Sequence, residues 1–224
     1  TSLQYAYLGH NLNSIGSGIF LDCSDLIVEW NVKGTHKMTP FMSEESITSV
    51  IFGDDVSMIP DRFCEDMTSL TSIAISDGIT KIPNRMCDGC TALSSITIPN
   101  TITSIGEDAF LDCTALTSVT LPNSITSIGA YAFNYCSKLA EINIPSSVTS
   151  IGSYAFSDCS SLTTISIPST VTSFGNSVFF NCYGLVDVSL SGGMTSIPQS
   201  FFKGCRSLVS VKIPDKVESI GAYA

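Results

Sequence analysis

Charge is scarce in this sequence. Only 13% of its 224 residues are Asp, Glu, Lys or Arg, about half the usual share. Cations are the scarcer sign: 10 Lys and Arg against 20 Asp and Glu leave a net charge of −10. That balance argues against nucleic acid, where Lys and Arg supply most of the affinity. Imidazole is nearly missing, with His10 and His36 alone. G-x-S-x-G, H-E-x-x-H, G-x-G-x-x-G and G-x-x-x-x-G-K do not occur, so the sequence offers no hydrolase, zinc-protease or nucleotide signature. No apolar run approaches the roughly 18 residues of a membrane helix. No secretory-signal pattern opens the chain, as a trimmed chain would also lack, and no Asn-x-Ser/Thr acceptor is present. What remains is 44% hydrophobic, with about a quarter of all residues Ser or Thr. That is ample for a core and excludes a disordered chain.

The apolar residues recur with one period. Leu70, Leu93, Leu116, Leu139, Leu162, Leu185 and Leu208 are evenly spaced, one repeat apart. Further columns keep the same register: Ile73 to Val211, Ile75 to Ile213, Ile102 to Val217, Ile105 to Ile220, Phe110 to Phe202, and Cys90 to Cys205. Backwards, Leu3, Leu26 and Ile47 continue the Leu column, and Phe20 and Phe41 the Phe column. The step from Leu26 to Ile47 is two residues short, which places a deletion between Ile27 and Met38. Ten strand positions follow, beginning at residues 3, 26, 47, 70, 93, 116, 139, 162, 185 and 208.

The unit reads L-x-x-I-x-I-P-x-x-I-T-x-I-G-x-x-A-F-x-x-C-x-x. Its first half, as in Leu116-Thr-Ser-Val-Thr-Leu121, is a short β-branched strand. Pro122 ends it, having no ladder donor. Ile125-Thr-Ser-Ile128 is a second extended piece, Gly129 turns the chain, and Ala132, Phe133 and Cys136 have the spacing of one helical turn. A single unit cannot bury this apolar side, whereas stacked units can. The expectation is an α/β-type, mostly β solenoid: one domain over 1–224, a parallel strand sheet, short helical turns and about ten coils, with an irregular coil at 27–46. Both ends fall inside a repeat, so we expect either further coils or end-to-end self-association.

These motifs resemble the BspA-like leucine-rich repeat family, the class whose turn reads A-F-x-x-C. The resemblance spans essentially the whole chain and is strongest from Leu93 to Ala224, as in Leu116 to Phe133. It implies a right-handed leucine-rich coil, and a secreted or surface-displayed protein with adhesion or protein binding as its usual role. Cys64 and Cys87 stand where the family turn has Phe, Met67 and Glu44 where it has Cys, and Pro83 and Pro198 where it has Gly.

Nine Cys admit three chemistries. One inward Cys per coil reads as a stack of small buried hydrophobes. Cys87-Asp-Gly-Cys90 is a C-x-x-C, as redox and zinc sites use, yet both positions are repeat columns. Cys64 and Cys87 lie on neighbouring rungs about 5 Å apart, within reach of a disulfide although their Cβ vectors are parallel. The Asp before Cys at Asp22, Asp66, Asp112 and Asp158 suggests a calcium ladder, but Gly89, Tyr135, Asn181 and Gly204 share the column, which favours a turn position. No catalytic residue, cofactor or metal site is therefore expected.

By strand alternation the outward positions run from Ser72 and Ala74 to Ser210 and Lys212, through Glu141, Asn143 and Asp187. The expectation is a face with no aromatic and no Arg, the usual interface anchors. The irregular coil holds Trp30 and His36. Trp30, His36, Glu141, Asn143 and Asp187 are the candidate contact residues for a protein or glycan partner. The leading reading is a non-enzymatic binding module at the cell surface or outside the cell. The rival is a structural spacer that displays another domain.

Overall fold

The structure is a computed structural model and describes residues 3–9, 11–12, 15, 19–20, 23–33, 41, 44–190 and 192–224. These residues wind into a parallel β-solenoid. Seven strands form one broad ladder: Tyr5–Leu8, Leu26–Trp30, Ile47–Phe52, Ser72–Ala74, Ser95–Thr97, Ser118–Thr120 and Glu141–Asn143. Thr164–Ser166 and Asp187–Ser189 carry it on as a separate pair. A narrow second sheet holds the two-residue strands from Lys81–Ile82 to Ser173–Phe174, and Ser196–Ile197 pairs with Ser219–Ile220. Paired residues are one repeat apart, as in Ser95↔Ser118 and Glu141↔Ser118.

Among the described residues the broad face has nine strands rather than ten. Leu208–Ile213 forms none, and Val209 is 88% exposed. The two-residue deletion is also split. Leu26 faces Ile47, but Ile27 faces Ser49, so one missing residue belongs to the strand itself and leaves Thr48 unmatched. Leu26–Trp30 is therefore a regular strand of the ladder, and its alternation turns Leu26, Val28 and Trp30 inward.

Among the described residues there is no helix, contrary to the expectation of helical turns. The segment around Phe133 is a chain of tight turns, with Asn134 N–H donating to Tyr131 O at 3.0 Å and Leu139 N–H to Cys136 O at 3.0 Å. Its alternate N–H groups are directed to the next coil. Tyr131 donates to Ser153 O, Phe133 to Ala155 O and Tyr135 to Ser157 O, at 2.8–3.0 Å. Those donors are then unavailable for helical bonds four residues back. Two positions per coil take left-handed backbone to allow this. One is the column before Cys, with φ of 60° at Asp66, 74° at Gly89, 57° at Asp112 and 59° at Tyr135. Asp, Asn and Gly tolerate that region best, which accounts for the Asp column without an ion. The second column runs from Arg62 and Arg85 through Asp108, Tyr131 and Tyr154 to Ser177, Ser200 and Tyr223, with no glycine to betray it.

The core is one continuous stack along the axis. Leu70, Leu93, Leu116, Leu139, Leu162 and Leu185 are fully buried, as are Phe110, Phe133, Phe156 and Phe179. Neighbouring Phe rings lie parallel, 5.3–5.6 Å apart from Phe110 to Phe179. Where Cys64 and Cys87 replace Phe, the residue before them grows from Ala to Phe63 and Met86. Both columns are interior, so the volume lost in one is restored by the other.

The Cys column does more than fill space. Each thiol donates to a carbonyl of the coil before it: Cys113 to Cys87 O at 3.1 Å, Cys136 to Phe110 O at 3.2 Å, Cys159 to Phe133 O at 3.2 Å. Burial pushes the thiols of Cys64, Cys87, Cys113, Cys136 and Cys159 well up, which removes the reactive thiolate. All nine are free, and only Cys23 and Cys205 are partly exposed. Thiol titration of the native protein is expected to find those two at most, and close to nine after unfolding. Fast modification of most thiols in the native state would contradict this packing.

Candidate functional site: the concave sheet face

The nine broad strands turn every second residue toward the core and the others outward. Toward the C-terminal end this face sinks into a groove of about 540 Å³. Its floor brings together Glu141, Asn143 and Asp187, three of the candidate residues, among Ser118, Thr120, Thr164, Ser166 and Ser189. All three side chains are exposed. Ser118 pairs with Glu141 and Thr164 with Asp187, so the two carboxylates share a row two rungs apart, about 10 Å. The groove spans the break in the ladder between Glu141–Asn143 and Thr164–Ser166.

Trp30 does not belong to this surface. Its ring is 1% exposed and packs edge-on against Phe41 at 5.6 Å and Phe63 at 5.0 Å. It is the inward residue that closes Leu26–Trp30, where later coils carry Phe52 and then Ile or Leu, and it has no free edge to offer a partner. His36 and His10 lie outside the described residues.

Contrary to the expectation from the sequence, the outward face does hold aromatics, at rungs before Ser72. Tyr5 and Tyr7 point outward, 49% and 56% exposed, while Ala6 and Leu8 pack on the core. Across the ladder they pair with Ile27 and Glu29, and Glu29 pairs with Ile51. The Tyr5 hydroxyl donates to Glu29 Oε2, and Asn31 Nδ2 donates to Glu29 Oε1 at 2.8 Å. Both bonds favour the charged carboxylate and lower the Glu29 pKa. Gly53 makes room for this arrangement, since a Cβ there would overlap the Asn31 amide. The signal was present in the sequence, because Leu3-x-x-Ala6-x-Leu8 follows the repeat and sends Tyr5 and Tyr7 outward.

A second charged cluster lies on the turns. Arg85 Nε meets Asp108 at 3.1 Å, and its guanidinium lies 3.6 Å from Glu65 and 4.0 Å from Asp88; Arg62 is 3.6 Å from Glu65. Burial, then the Glu65 charge, push Asp88 up to about 6, against the pull of Arg85. The folded protein thus holds this proton more tightly than the unfolded chain. The associated stability is complete below the ordinary value of 3.8 and declines as pH rises toward about 6. Asp88→Asn is expected to flatten that region of the stability profile in denaturant melts from pH 4 to 7. Parallel profiles for the two proteins would show that Asp88 ionises normally. Among the described residues no three His, Cys, Asp or Glu side chains converge as a metal site requires, and no helix is long and apolar enough to cross a membrane.

The model of the BspA type leucine rich repeat region matches residues 1–117 and 103–224, in six copies. The chain belongs to the BspA-type leucine-rich repeat family. Among solved structures it is similar to a leucine-rich repeat protein from Bacteroides ovatus, at 26% identity and TM-score 0.77, over 99% of this chain and 63% of that one. This BspA-type chain thus spans less than two thirds of that relative's length. A T. pallidum leucine-rich repeat protein is similar at 25% identity and TM-score 0.65, over 82% of both chains. A leucine rich cell surface protein from Faecalibacterium prausnitzii matches at 22% identity and TM-score 0.42, over 98% of this chain and 78% of that one. No curated protein matches the chain.

Proposed function

We propose that this BspA-type chain is a non-enzymatic protein-binding module, displayed outside the cell, and that the concave sheet face is where its partner docks. The observation that carries this reading is the convergence of Glu141, Asn143 and Asp187 in one open groove on a regular strand face. Stacked coils make such a face rigid, so a partner is met without an ordering cost on this side. Family membership supports the extracellular setting and an adhesive role.

The test uses capture of partners from host matrix proteins by the intact chain. Thr120 is a small exposed residue on the groove floor. Thr120→Arg is expected to weaken capture at least tenfold, about 1.4 kcal/mol or more, and Asp215→Arg, on an exposed turn, is not. Equal capture by both variants would remove the concave face from consideration and leave the spacer reading.

A further inference from the structure

The outward rows of the nine broad strands, from Tyr5 to Ser189, carry three carboxylates, Glu29, Glu141 and Asp187, and neither Lys nor Arg. Ser, Thr, Ala, Asn, Ile and the two Tyr fill the other outward positions. None of these nine strands contains Lys or Arg, and Lys212 stands in the tenth coil, one repeat on from Ser189. The nine strands are therefore of one sign, although they are mostly uncharged. Glu29 lies on the second rung and Glu141 on the seventh, about 24 Å apart, and Asp187 is about 10 Å further on.

From this arrangement we infer that the occupant of the concave face is a cationic segment of a protein, which crosses the rungs and sets Lys or Arg side chains against Glu29, Glu141 and Asp187. The inference rests on the reading of that face as the docking surface. Charge complementarity carries it: a partner bearing carboxylates would meet like charge along all nine strands, with Lys212 beyond their last rung as the cation at that end, whereas Lys or Arg meets three acceptors. The Tyr5–Tyr7 end adds chemistry that suits the same partner. Arg stacks on tyrosine faces, and Tyr is a common anchor of protein interfaces. Glu29 is held in place beside those rings by the Tyr5 hydroxyl and the Asn31 amide, so this end is organised before a partner arrives. Ile27, 36% exposed, and Ile51 supply apolar area next to the carboxylate. The aliphatic stem of a Lys or Arg covers such area while its head reaches the charge.

The probe is a labelled twelve-residue oligoarginine peptide, which spans about 40 Å when extended. It is titrated into the intact chain at two salt concentrations. The wild type is expected to bind, more weakly at higher salt. Glu29→Gln, Glu141→Gln and Asp187→Asn together should lower affinity about tenfold or more. Asp54→Asn, Asp77→Asn and Asp215→Asn, exposed positions off the face, make the same change in net charge and should leave affinity within about twofold. Tyr5→Ser with Tyr7→Ser should weaken binding about threefold or more, with a loss that persists at high salt. Equal losses in the two triple variants would mean that bulk charge alone attracts the peptide, and would overturn the inference. So would a wild type that ignores oligoarginine. If in that case Thr120→Arg still abolishes capture of a neutral or acidic partner, the docking face stands and only its cationic chemistry falls. If Thr120→Arg spares partner capture, it is the docking reading that fails.

Discussion

Replacing Phe133 by Ala is expected to cost about 3–5 kcal/mol of folding stability. The ring is fully buried and lies between Phe110 at 5.3 Å and Phe156 at 5.5 Å, nearly parallel to both. Its backbone N–H donates to Ala155 O, and its carbonyl accepts from the Cys159 thiol. Truncation keeps those bonds and removes only the ring, so the loss reads out packing. The stacked coils are pinned to each other by ladders on both sheets and along the turns. They cannot collapse freely into the gap, which places the cost toward the top of the range for large-to-small changes. A loss of this size is a large share of the 5–15 kcal/mol that holds a typical domain. Denaturant melts should show a lower midpoint with an unchanged slope. A midpoint equal to that of the wild type would mean that the Phe column is not interior.

Gly152→Ala is expected to cost about 1–3 kcal/mol or more. Its cause is overlap rather than a void. A Cβ on Gly152 would overlap Ala130 and the carbonyl carbon of Gly129, which are backbone of the preceding coil. Gly129 is held in the same way against Gly106, and Gly175 against Ser153. The glycine is needed here for close approach, not for a left-handed angle. Adding one methyl must push the coils away from each other at a point where Gly152 N–H donates to Ile128 O at 2.9 Å. Thermal melts of Gly152→Ala and Gly192→Ala make the comparison, since a Cβ on Gly192 meets nothing. Similar melting temperatures for the two would show that the coils have slack.

The repeat made most of this fold legible in advance. Leu, Ile, Phe and Cys columns in one register require that each residue meet its counterpart on the next coil, and paired residues such as Glu141 and Ser118 do so. Strand alternation likewise separated Glu141, Asn143 and Asp187 from the core, because in a strand the direction of a side chain follows from parity alone. Three features depended on neighbours that a single repeat does not contain. The turns at Phe133 had helical spacing, yet their N–H groups bond across to the next coil, and a bond between coils leaves no mark within one unit. Trp30 looked like an interruption because the deletion hid its parity. The slip opposite Thr48 restores the inward direction, and the rings of Phe41 and Phe63 enclose it. The carboxylate at Glu29 gained its setting from Tyr5, a residue of the preceding coil, and from the space above Gly53. Sequence by itself therefore determined the period, the core columns and the face each strand residue takes, since these follow from local parity and hydrophobic burial. Only the stacking of coils decided the turn conformation, the burial of Trp30 and the company of Glu29, since each rests on atoms a full repeat away.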